Sequence, residues 1–60
     1  MVGKFELIEV GGEYRWRLRN AYGELVAQSE GYIWKQAALD AIEAARSAVV
    51  LADVEDLTVE

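Results

Sequence analysis

The stretch Gly12–Asn20, GEYRWRLRN, constrains this chain more than any other. Tyr14, Trp16 and Leu18 fall at every second position, and Glu13, Arg15, Arg17 and Arg19 fill the positions between. Successive side chains of a strand point to opposite faces, so this alternation builds one apolar face and one charged face. The chain is therefore expected to organise itself as a sheet with rings turned inward and guanidinium groups turned outward.

The preceding segment, Lys4–Val10, fits as the neighbouring strand, with Phe5 and Leu7 on one face and Glu6 and Ile8 on the other. Gly11-Gly12 between them is a two-residue hairpin signal, because both positions of the favoured turn need positive φ. With those glycines as the loop, Val10 faces Glu13, Ile8 faces Arg15, Leu7 faces Trp16, Glu6 faces Arg17 and Phe5 faces Leu18. Each such cross-strand pair contributes roughly 0.2–1 kcal/mol. A one-residue slip would bring carboxylates under the aromatic face, so the register is well specified.

Asn20–Gly23 reads as a turn and Glu24–Ser29 as a third strand. A four-residue loop is the expectation here and places Leu25 and Ala27 beside Leu18 and Trp16; a three-residue loop with a glycine bulge would bring Val26 there instead. From Ile33 or Trp34 to about Ser47 the period changes to that of a helix, with Ala38, Ala41, Ile42 and Ala45 on one stripe. No Ser, Thr, Asp or Asn stands where the N-cap belongs, a local weakness of about 1 kcal/mol. Ala48–Asp53 connects to a short last strand, Val54–Val59, with Leu57 and Val59 on one face. The expected fold is α+β: a three-stranded antiparallel meander, one helix packed on it and a C-terminal strand, in a single domain over residues 1–60.

Sixty residues bury only about 60% of the surface that the unfolded chain exposes, so such a domain usually needs a staple. The chain contains no Cys and no His, which removes disulfides, thiolate ligands and the commonest metal ligand. Association with a second copy is the remaining staple, and a homodimer is the expectation. The net charge of -5 disfavours nucleic acid and anionic membrane surfaces. No apolar run reaches the length of a membrane span, and the N-terminal MVGKFELIEV lacks the pattern of a cleaved leader, so a cytoplasmic location is expected.

Arg15, Arg17 and Arg19 can be read as an anion or single-strand contact, with Tyr22 and Trp34 as stacking rings. The overall charge favours the plainer reading, a solvated face balanced by Glu6, Glu24 and a partner chain. Asp53, Glu55 and Asp56 supply oxygen ligands but match no cation-loop spacing, and a solvated acidic edge is favoured. Glu6 and Glu9 fall on opposite faces and cannot act as an acid–base pair. Ser29, Ser47 and Thr58 have no histidine to activate them. No enzyme, cofactor or metal is expected. Trp34 and Ile33 at the strand-to-helix junction, together with Val54 and Leu57 on the last strand, are the candidate interface residues.

The segments FEL (Phe5–Leu7), GEYRWRL (Gly12–Leu18), GE (Gly23-Glu24), SEGY (Ser29–Tyr32), Lys35, Ala38, Ile42 and VEDLT (Val54–Thr58) resemble the YegP-like family of small proteins. The resemblance spans nearly the whole chain. It implies a three-stranded meander followed by a helix and a final strand, with single-unit members pairing as homodimers. It carries over no catalytic residues. Tyr22 stands where that family usually has Asn, and Ile33-Trp34 where it usually has Ser or Thr before the lysine.

Overall fold

A computed structural model describes residues 2–59. Its elements run β1 (Lys4–Val10), β2 (Glu13–Arg19), β3 (Leu25–Gln28) and α1 (Lys35–Val49). The three strands form one antiparallel sheet in the order β1-β2-β3. The β1–β2 register is the expected one at every position, from Phe5 against Leu18 to Val10 against Glu13. Gly11 and Gly12 both take positive φ, 58° and 82°, the backbone shape that matches the twist of the flanking strands.

The second turn differs from the expectation. Gly23 N donates to Asn20 O (3.0 Å), and Asn20 N donates to Glu24 O (3.0 Å). The loop is therefore the three residues Ala21, Tyr22 and Gly23, with Gly23 at φ 85°. Asn20 Oδ1 accepts from the backbone N–H groups of Tyr22 (2.9 Å) and Glu24 (3.0 Å), a side-chain clamp that favours the shorter loop. Leu25 then faces Arg19, and a register shift between Leu18 and Arg19 brings Ala27, not Leu25 or Val26, opposite Leu18. The bulge at Val26 restores a small apolar residue to the aromatic face.

Beyond β3 the chain keeps following β2. Ser29 N donates to Trp16 O (2.9 Å), and Tyr14 and Tyr32 exchange two backbone bonds of 2.7 and 2.8 Å. The helix then begins at Lys35, with Trp34 as an extended N-cap that makes no side-chain bond to the helix. It lies against β2 and β1. Ala37, Ala38, Ala41, Ile42 and Ala45 are its least exposed positions, and Ala38 is fully buried. Small side chains let the helix approach the sheet closely. Arg46 pairs with Glu43 (2.8 Å), whereas Asp40 accepts from Gln36 (2.9 Å) rather than joining a charge pair.

The expected last strand, Val54–Val59, joins no sheet within the chain, and no strand follows α1 among the described residues. A six-residue strand needs a ladder to satisfy its backbone, and neither sheet edge of its own copy supplies one. Residues 52–59 are exposed throughout.

Candidate functional site

Two features stand out on the surface, and the meander positions both. The first is a cluster of cations around one carboxylate. Glu6 on β1 lies opposite Arg17 and diagonal to Arg19, while Lys4 lies opposite Arg19. Arg19 Nε donates to Glu6 Oε1 at 2.8 Å, Arg17 Nε lies 3.5 Å from the same oxygen, and Lys4 Nζ lies 3.6 Å from Oε2. The shortest bond goes to the diagonal arginine because the long side chain lies along the sheet and reaches two positions over. Arg19 also bonds Gly23 O (3.0 Å).

Arg15 sits apart from this cluster, paired with Glu13 at 3.0 Å. The three sequence-predicted arginines thus share a face without converging on one point. The contrast between the two sheet faces is also weaker than expected. Trp16, Arg17 and Arg19 are all half-buried, since the guanidinium groups fold down onto Glu6 instead of standing out into water.

The hydrogen bond from Arg19 holds the Glu6 carboxyl below the usual carboxylate range; the charges of Arg19, Arg17 and Lys4 add to it, against partial desolvation. A group whose folded pKa is depressed contributes stability above its unfolded pKa and loses it as pH falls through the folded value. The difference in urea midpoint between the parent and Glu6→Gln is therefore expected to be full near neutral pH and to shrink as pH drops below about 4.3, the ordinary value for Glu. Equal midpoint differences at pH 7 and in acid would contradict it.

The second feature is apolar. Ile33 and Trp34 are each 73% exposed at the sheet-to-helix junction, and Val54 and Leu57 are 96% and 80% exposed on the tail. The end of the helix adds Val49, Val50 and Leu51. Apart from Ala38, no apolar side chain among the described residues is fully buried. The chain exposes 5078 Å², against about 3,900 Å² for a compact monomer of 6.7 kDa. Its radius of gyration is 13.4 Å, against about 10 Å for a compact domain of sixty residues.

Other candidates resolve simply. Asp53, Glu55 and Asp56 do not gather, and no group of three metal-ligating side chains occurs among the described residues. Asp56 Oδ1 accepts from the hydroxyl and the backbone N–H of Thr58 (2.6 and 2.9 Å), which keeps its carboxyl below the usual range. The Ser29 hydroxyl accepts from Trp16 N (3.0 Å) and donates to Glu30 O (2.7 Å). Its role is to fasten β2 to the segment after β3, which no sequence signal beyond its place in SEGY indicated. Gly31, from the same motif, leaves the space that the Glu13 carboxylate occupies; a Cβ there would overlap it. No helix among the described residues is long and apolar enough to cross a membrane.

Residues 10–56 match a family described as a domain of unknown function, DUF1508. A UPF0339 protein of Neisseria meningitidis serogroup B is 41% identical over 46 residues, 77% of this chain and 82% of its own length. A UPF0339 protein of Agrobacterium fabrum is 43% identical over 56 residues, covering 92% and 90% of the two chains. An NMR solution structure of a protein from Haloferax volcanii superimposes with a TM-score of 0.75 at 35% identity, over 92% of this chain and 95% of that one. These relatives agree with the YegP-like resemblance of the FEL, GEYRWRL and SEGY segments.

Proposed function

We propose that this chain, which belongs to the DUF1508 family, acts as a non-enzymatic structural and interaction module of the cytoplasm that works as a homodimer. The single observation that carries this reading is surplus surface. The excess over a compact monomer is roughly 1,200 Å² per chain, or about 2,400 Å² for two, within the range buried by obligate dimers. That excess is apolar where it is concentrated, at Ile33, Trp34, Val54 and Leu57.

The dimer uses these four residues as its contact. Residues 54–59 of each copy add as a strand to the partner's sheet, satisfying a backbone that finds no ladder in its own chain. The non-enzymatic part rests on composition: the chain has no His, the usual activator of a hydroxyl, and no Cys nucleophile, and the Ser29 hydroxyl is already committed to backbone.

Sedimentation equilibrium over about 1–100 μM tests it, concentrations at which a specific dimer of this size is assembled. The expected result is twice the chain mass across most of that range. A folded, stable species of one chain mass at every concentration would end the reading.

A further inference from the structure

The cation cluster on β1 and β2 is short of negative charge. Lys4, Arg17 and Arg19 share a single carboxylate, Glu6. Arg17 Nε is closed off from water and makes no hydrogen bond, its nearest anion being Glu6 Oε1 at 3.5 Å. Four of the chain's six bases stand on this sheet face, Arg15 included, although the chain as a whole carries -5. A half-desolvated excess of guanidinium charge is costly unless another anion approaches it.

The tail contains such an anion, and strand parity determines where it falls. In an extended tail Glu55, Leu57 and Val59 share one face, and Val54, Asp56 and Thr58 share the other. If Leu57 and Val59 continue the face of Phe5, Leu7, Trp16 and Leu18, Asp56 arrives on the face of Lys4, Arg17 and Arg19. The opposite parity would turn Asp56 and Thr58 toward the rings and leave both Leu57 and Val59 in water, whereas this one turns only Glu55 toward the ring face.

The outer edge of β1 is the better acceptor. It is seven residues long and unbulged, whereas β3 has four residues and a register shift. Run parallel to β1 with Asp56 beside Lys4, the tail sets Leu57 beside Phe5, Thr58 beside Glu6 and Val59 beside Leu7. Apolar residues then meet apolar ones, and the threonine hydroxyl can donate to the carboxylate. Run antiparallel with the same Asp56–Lys4 pair, the tail would set Glu55 against Phe5.

We infer that Asp56 of a second copy docks on the Lys4–Arg17–Arg19 cluster and acts as an electrostatic latch of the dimer. The inference rests on the homodimer reading and adds to it the partner group that this sheet face receives. In the single chain Asp56 occupies itself with Thr58, so docking exchanges that local bond for the cluster.

The test is sedimentation of the full chain and its variants at about 50 mM and about 500 mM salt, conditions that change the Debye length roughly threefold. Asp56→Asn is expected to raise the dimer Kd about fivefold at low salt and less than about twofold at high salt, the scale of a partly exposed ion pair. Lys4→Glu should weaken the dimer similarly, and Lys4→Glu combined with Asp56→Lys should recover most of the loss. Circular dichroism of each variant checks that the sheet persists. A dimer whose Kd is unmoved by Asp56→Asn at both salts would overturn the latch and leave the dimer standing. A chain that is monomeric throughout would overturn the dimer reading and the latch with it. If the assembled dimer binds single-stranded RNA at low salt through Arg17 and Arg19, the cluster is open to another anion and the latch is wrong.

Discussion

Trp16→Ala is expected to remove most of the stability of the fold. The Trp16 and Phe5 rings meet edge to face, with centroids 5.4 Å apart and planes at 72°, a geometry in which the positive edge of one ring meets the negative face of the other. Trp16 also pairs with Leu7 across the sheet. Since Ala38 is the one fully buried apolar residue described, half-buried aromatic surface does the work that a closed core does in a larger protein. Replacing a core Trp by Ala costs about 3–5 kcal/mol, and a half-buried site falls at about 3. Sixty residues support roughly 3–9 kcal/mol in total. The urea midpoint should therefore fall sharply, or the chain should be unfolded in buffer. Trp16→Phe should be milder than its lost volume suggests, because Trp16 Nε1 is closed off from water without an acceptor and removing an unsatisfied donor recovers part of the cost. Near-identical midpoints for parent and Trp16→Ala would mean that the ring pair is not the centre of the core.

The elements most legible in the sequence were those whose cause is local. Alternation in EYRWRLR and the Gly11-Gly12 pair determine the first hairpin through pleat and turn chemistry alone, and the register followed at every pair. The helix was legible from its alanine stripe, and its uncapped start from the absence of a short polar residue at Trp34. The third strand was not. Leu25, Val26 and Ala27 are all apolar, so period carried no information, and the choice passed to the Asn20 side chain, whose two backbone bonds favour the three-residue loop. Convergence on Glu6 was half legible: Arg17 follows from register, while Arg19 reaches it diagonally because of side-chain length. The alternation of Leu57 and Val59 predicts a strand in the tail, but a ladder needs a partner, and the described residues of the chain supply none for it.

That missing ladder leads to the second large effect. A chain ending at Ala52 loses Val54, Leu57 and Val59, which touch little within their own copy: Leu57 is 80% exposed and Val59 fully so. If they were only solvated tail, deleting them would leave mass and stability alone, since exposed positions usually change stability by less than about 0.5 kcal/mol. In a two-fold dimer the same residues are buried twice, once in each direction. Burying one leucine contributes about 1.5–3 kcal/mol, so Leu57→Asp, made in both copies, should weaken association by about 3–6 kcal/mol, a hundredfold or more in Kd. Deletion from residue 53 onward should do more, because two strands' worth of backbone bonding goes with it. The expected observation is a shift from two chain masses to one, with the urea midpoint of the shortened chain lower and no longer rising with protein concentration. Trp34→Ala should move association in the same direction while leaving the strand content of the circular dichroism spectrum in place, since Trp34 is 73% exposed and lies outside the sheet. A shortened chain that keeps the parent's mass and midpoint would place the self-contact elsewhere on the surface and leave the alternating apolar and acidic tail without a structural role.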